Sequence, residues 1–159
     1  MGGETMTITG IDPGNTHSAF VMIRGNKILD KGYLSNFEFL PAIPLPMNED
    51  DTEGRIVCEM IASYGMAVGR TVFETCVFIG RIIECMDWKV ERVTRIQVKS
   101  TLCHSAKAKD ANVRQALIDI YGPPGTKKNP GGTYGISGDM WAALAVATAA
   151  AHGCQLYTP

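Results

Sequence analysis

A chain of 159 residues that is 45% hydrophobic and 19% charged has the length and composition of one globular domain with a buried core. This balance excludes a disordered chain, and the apolar segments are too short or too interrupted by charge to cross a membrane. The net charge of −1 is unevenly spread, with nine basic and three acidic residues in 89–128 against six and twelve in 1–88, so the later half is suited to phosphate, although a solvated surface would account for the asymmetry equally.

The opening MGGETMTITG has neither a basic start nor a long apolar core, and no signal peptide is expected. Residues 5–11 alternate and end in Asp12-Pro13-Gly14, which predicts a strand and a turn. Residues 18–23 and 27–34 predict two more strands joined through Gly25-Asn26, so two or three antiparallel strands open the fold. Three prolines and Glu49-Asp50-Asp51 make 35–54 a short helix or irregular crossover with an acidic tip. Residues 55–61 (RIVCEMI) read as a buried central strand interrupted by Glu59.

After a Gly-containing loop, residues 70–86 predict a long helix whose apolar positions cover more than one stripe. Phe73, Val77 and Ile82 are expected to extend its surface toward a partner subunit. A strand over 88–95 and an amphipathic helix over 110–121 follow, the latter with Val113, Ala116, Leu117 and Ile120 inward. The Gly/Pro/Lys-rich stretch 122–138 predicts a mobile loop. A last helix is expected from Ser137 as N-cap to Gly153, its small side chains allowing close approach to a sheet. The pattern predicts an α/β fold, a mixed sheet flanked by helices in a single domain.

The five cysteines form no CxxC pair, which predicts reduced, buried thiols in a cytosolic setting and neither disulfides nor zinc. His104 beside Cys103 lacks zinc-ligand spacing, His152 sits where a helix end would favour it, and Gly122–Lys128 does not match a P-loop.

Three acids remain. Asp12 stands at the end of the first strand, where a turn aspartate is ordinary. Glu59 lies within an apolar strand, where burial is costly unless a cation or donor meets it; a strand-end position or a structural ion pair would explain it equally. Asp139 stands in the expected first turn of the last helix, where the dipole favours negative charge. Together, two strand ends and a helix start can converge on one side of a mixed sheet. Carboxylates so gathered call for Mg²⁺ or Mn²⁺, and two such ions can activate water at a phosphodiester.

Ile11-Asp12-Pro13-Gly14, the strand bearing Glu59, Gln97-Val98-Lys99, the stretch 107–113, and Asp139 followed by Ala143-Leu144-Ala145 occur in an order that resembles the RuvC-type Holliday-junction resolvases. The resemblance runs from about residue 7 to 152, and Ser63–Gly69 looks more like the compact phage-encoded branch. It implies an RNase H-like fold, a homodimer, branched or four-way DNA as partner, and paired nicks leaving 5′-phosphates, in the cytoplasm (the host's, if phage-encoded). Asp12, Glu59 and Asp139 match the family's acidic, metal-binding positions. Lys99 and one of Lys107 or Lys109 resemble its basic residues beside the scissile phosphate, with Lys109 assigned the catalytic role. Tyr64, away from the family's usual offset, is the candidate aromatic entering the junction, although it could equally pack on its own domain; Arg114 joins the DNA-binding set. Where relatives carry another acid one turn after Asp139, this chain has Ala142, so three acids suffice, or Asp110, His17 or a water fills the gap. Two alternatives are a non-catalytic DNA-binding or scaffold protein, with Ala142 marking a decayed site, and a monomeric enzyme cutting RNA–DNA hybrids.

Overall fold

In the computed structural model, which describes residues 5–157, strand pairing starts from β1 (Thr7–Asp12) and β2 (His17–Arg24), antiparallel with Asp12 opposite Ala19. Residues 1–4, which open the stretch expected to lack a signal peptide, lie outside the described part. Gly25, at φ +57°, turns the chain into β3 (Lys27–Ser35), the antiparallel edge strand. After α1 (Asn36–Ala42) and an irregular crossover, β4 (Arg55–Met60) lies parallel to β1, and β5 (Val90–Thr94) lies parallel to β4. The sheet order is therefore β3-β2-β1-β4-β5.

Because strand side chains alternate, the sheet buries two separate cores. Ile11, Phe20, Ile56 and Cys58 face α1 and α2 (Arg70–Cys85), where Phe39 packs edge to face against Phe20 and Phe78 with ring centroids 6.0 Å apart. Ile8, Ala19, Val21 and Val57 face α5 (Met140–Ala151), with α3 (Arg95–Cys103) and α4 (Asp110–Tyr121) beside it. The helix α5 comes close because both surfaces are small: a Cβ on Gly10 would collide with the Ala143 carbonyl and stand 2.8 Å from the Ala147 Cβ. The Tyr121 hydroxyl and Thr148 Oγ1, 2.9 Å apart, join α4 to α5 inside this core. Among the described residues no helix is long and apolar enough to cross a membrane.

Several expectations change. The segment 88–95 divides into a shorter strand and the start of an unforeseen helix: Thr94 Oγ1 accepts from the Gln97 backbone N–H while the Gln97 side chain accepts from that of Thr94. The last helix begins at Met140 with Asp139 as N-cap, because Met140 and Trp141 first close tighter turns onto Ser137 and Gly138. In α2, Phe73 and Val77 are exposed as expected, but Ile82 is fully buried and belongs to the core. Of the five cysteines only Cys58 is buried; Cys85 is exposed and the others are half-buried. Apart from these changes, buried Thr133 in the stretch 122–138 donates to the Gly122 carbonyl at 2.8 Å.

Candidate functional site

The parallel register of β1 and β4, which pairs Ile11 with Cys58, puts Asp12 and Glu59 next in line at the strand ends. Since Ile11 and Cys58 face α2, Asp12 and Glu59 point to the opposite face, toward α5. The side chain of Glu59 is only 12% exposed. Burial, the charge and hydrogen bonding of Glu59, and the charge of Asp139 together push the Asp12 carboxyl up to about 8. The Arg95 charge pulls the other way without overcoming these effects, so Asp12 keeps its proton near neutral pH.

Asp139 is held at the N-terminus of α5 by the close contact of that helix with β1. Its carboxylate caps no backbone N–H, so it is not committed to holding the helix start. The structure therefore brings all three acids to one end of the sheet. Among the described residues, however, no three His, Cys, Asp or Glu side chains converge closely enough to enclose an ion as they stand. Glu59 is turned instead onto Arg95, which donates from Nε to Oε1 at 2.9 Å and from NH2 to Oε2 at 3.4 Å. The ion-pair reading of Glu59 is thus realised in this structure, within the same cluster as Asp12.

A groove of about 590 Å³ opens beside the acids, lined by Glu59, Arg95, Lys99, Asp110, Asp139 and Trp141 among others. Lys99 reaches Asp110 at 3.5 Å, and Arg114 lies over the Trp141 ring, 4.6 Å from its centroid. Of the basic side chains expected to meet DNA, Lys99 and Arg114 line this groove; Lys107 and Lys109 are exposed near the start of α4 and do not line it. Ala142 also lines it, together with Asp110, one of the groups expected to fill the gap there. His17 stacks on Tyr33 at 5.3 Å and lines neither this groove nor a smaller cavity that shares Glu59 and Arg95 with it. That cavity, about 360 Å³, includes Asp12, Glu59, Arg95 and Tyr64, the last 57% exposed on its loop.

Arg95 and Trp141 were not singled out from sequence. The Thr94-x-x-Gln97 capping pattern could have located the helix that carries Arg95, but nothing local signals its pairing with a residue on another strand. Beneath the acids, burial first, then Glu59 and Asp12, push the Cys58 thiol up, so it stays protonated and unreactive.

No family model and no curated protein sequence matches this chain. Solved structures do. A Thermus thermophilus RuvC structure matches with a TM-score of 0.70 over 97% of this chain and 100% of that one, at 16% identity. T. thermophilus RuvC in complex with a Holliday junction substrate matches equally well, with a TM-score of 0.70 over 97% and 99% of the two chains, also at 16% identity. The chain therefore shares the fold of RuvC along nearly its whole length.

Proposed function

We propose that this chain is a divalent-metal-dependent endonuclease of the RuvC type, nicking branched DNA and resolving four-way junctions by paired hydrolysis that leaves 5′-phosphates. The observation that carries the proposal is the acid cluster at the sheet end, where burial first, and then the crowding of Glu59 and Asp139, push the Asp12 carboxyl up to about 8. Their chemistry, hard oxygen donors with a local excess of negative charge, fits a hard cation once Glu59 turns from Arg95 to join the others. Asp12, Glu59 and Asp139 would hold Mg²⁺ or Mn²⁺, with two ions per site as the working stoichiometry. When bound, the metal supplies activation of water and charge neutralisation at a phosphodiester.

The chain's own groups do the rest. Lys99 sits on the groove wall between the acids and α4, suited to orient a phosphate, and its contact with Asp110 is long enough to exchange. Arg114 adds positive charge farther along the same wall, while Lys107 and Lys109 extend it past the groove as a track for the backbone. Lys109 is the basic group assigned to the catalytic step, which requires α4 to bring it inward when DNA binds. Tyr64, exposed at the mouth of the smaller cavity, is the candidate to meet unpaired bases. A scaffold role gives no reason for the half-buried carboxylate pair, whose crowding is costly unless a cation relieves it. A hybrid-cutting monomer gives none for the exposed apolar side chains of α2.

The deciding experiment is nicking of mobile and fixed four-way junctions, Y-forks and duplex with Mg²⁺ or Mn²⁺. Wild type is expected to cut junctions selectively. Asp12→Asn, Glu59→Gln and Asp139→Asn should each abolish cutting and still bind junctions. Full activity in any of the three would remove that residue from the chemistry, and equal cutting of duplex would remove the junction selectivity.

A further inference from the structure

The cation already resting on Glu59 has a consequence for metal loading, which builds on the metal-dependent reading above. Arg95 meets both carboxylate oxygens of Glu59, the geometry in which a guanidinium binds a carboxylate most strongly. Its position is fixed by the strands: Met60 of β4 pairs with Thr94 of β5, and Thr94 caps α3, of which Arg95 is the first residue. The hydrogen bond and charge of Glu59 hold the guanidinium firmly in its charged form. Asp12 adds to this pull, and so does Asp110, which lines the same groove with Arg95 and Lys99. Arg95 is therefore drawn by the acids it touches and, along the groove they share, by Asp110, which also meets Lys99 at 3.5 Å. Its side chain is 50% exposed, so little packing resists its movement from one to the other.

We propose that Arg95 is a resident counter-cation. It neutralises Glu59 while the site lacks metal, competes with the divalent ion for the same two oxygens, and turns toward the Asp110 side of the groove when the ion arrives. An ion on Glu59 and a guanidinium still in contact with it would be like charges a few ångströms apart, so the two occupancies exclude each other. Arg95 is in this sense a positioning residue, which sets the metal affinity of Glu59 without reacting.

The test is Mn²⁺ binding without DNA, read by calorimetry and by the electron spin resonance of free Mn²⁺. It compares wild type, Arg95→Ala, Arg95→Gln, Arg95→Lys and Asp12→Asn, with thermal melts on the same samples. Removing the competing charge should tighten Mn²⁺ binding about tenfold in Arg95→Ala and Arg95→Gln, while Arg95→Lys, which keeps the charge, stays within about threefold of wild type. The Gln variant retains a hydrogen-bonding side chain, so it decides the matter if the Ala variant folds poorly. Binding that is unchanged or weaker in the Gln variant would make Arg95 a prop for Glu59 and overturn this proposal alone. Binding in Asp12→Asn equal to wild type, or no binding in any protein, would overturn the carboxylate metal site and the competition with it.

Discussion

At Asp12 burial, the charge and hydrogen bond of Glu59 and the charge of Asp139 outweigh the opposing charge of Arg95, and the balance leaves a signature in stability. The Asp12 carboxyl ionises near 3.8 in an unfolded chain and near 8 in the metal-free fold. Between those values the folded state holds the extra proton, so stability falls as pH rises through the window and levels off above it. Asp12→Asn removes that loss. The metal-free Asn variant should melt at the wild-type temperature near about pH 4 and be more stable by about 2 kcal/mol at about pH 9. A difference that does not grow with pH would show that the crowding is not felt. The same proton opposes metal, so apparent Mg²⁺ affinity should weaken as pH drops below about 8, read by calorimetry across that range. Lys99, Lys107 and Lys109 act on affinity instead. Replacing each should flatten the salt dependence of junction binding by about one in slope. An unchanged slope in the triple variant would place the DNA on another face.

Among the elements, the contact of α5 with β1 does most to locate the site, and at Gly10 there is no room for a side chain. Gly10→Val forces the helix away from the strand, because even the Cβ meets helix backbone at the Ala143 carbonyl. The expected cost is about 3 kcal/mol in chemical denaturation, with nicking lost more steeply than stability as Asp139 is carried off. A variant as stable as wild type would mean that α5 can shift without harm. This contact was legible beforehand in the run of alanines, as were the strands bearing Asp12 and Glu59, because alternation and turn residues are local signals. The helix α3 was not. Only Val98 in it is buried, so it lacks the apolar stripe by which a helix is recognised. Arg95 escaped for a different reason: its partner is on a neighbouring strand, and tertiary pairing leaves no trace in spacing. Ile82 was misread because a broad apolar helix does not reveal where one sheet's coverage ends; Phe39 and Phe78 deepen that layer beyond what the strand residues suggest.

For the molecule as a whole, the exposed apolar side chains Met66, Val68, Phe73 and Val77 follow one another from the loop after β4 into α2. Such a surface is costly to leave in water and fits a two-fold dimer, which paired nicking of a near-symmetric junction would require. Val77→Glu should therefore give a folded monomer, seen by sedimentation, that binds metal as wild type does and no longer makes coordinated nicks. Paired nicking by a wild-type protein that stays monomeric would sink the dimer. The distribution of the acids along the chain bears on synthesis as well. Asp12 comes from the first strand, Glu59 from the fourth, and Asp139 from the last of the described helices, docked on the strand that emerged first. A nascent chain that has left the ribosome only as far as β5 carries two of the three acids, and the Gly10 face of β1 still lacks its helix. If the three acids form the proposed metal site, a fragment ending at β5 should be unable to cut DNA, and the activity would arise only once translation has delivered α5.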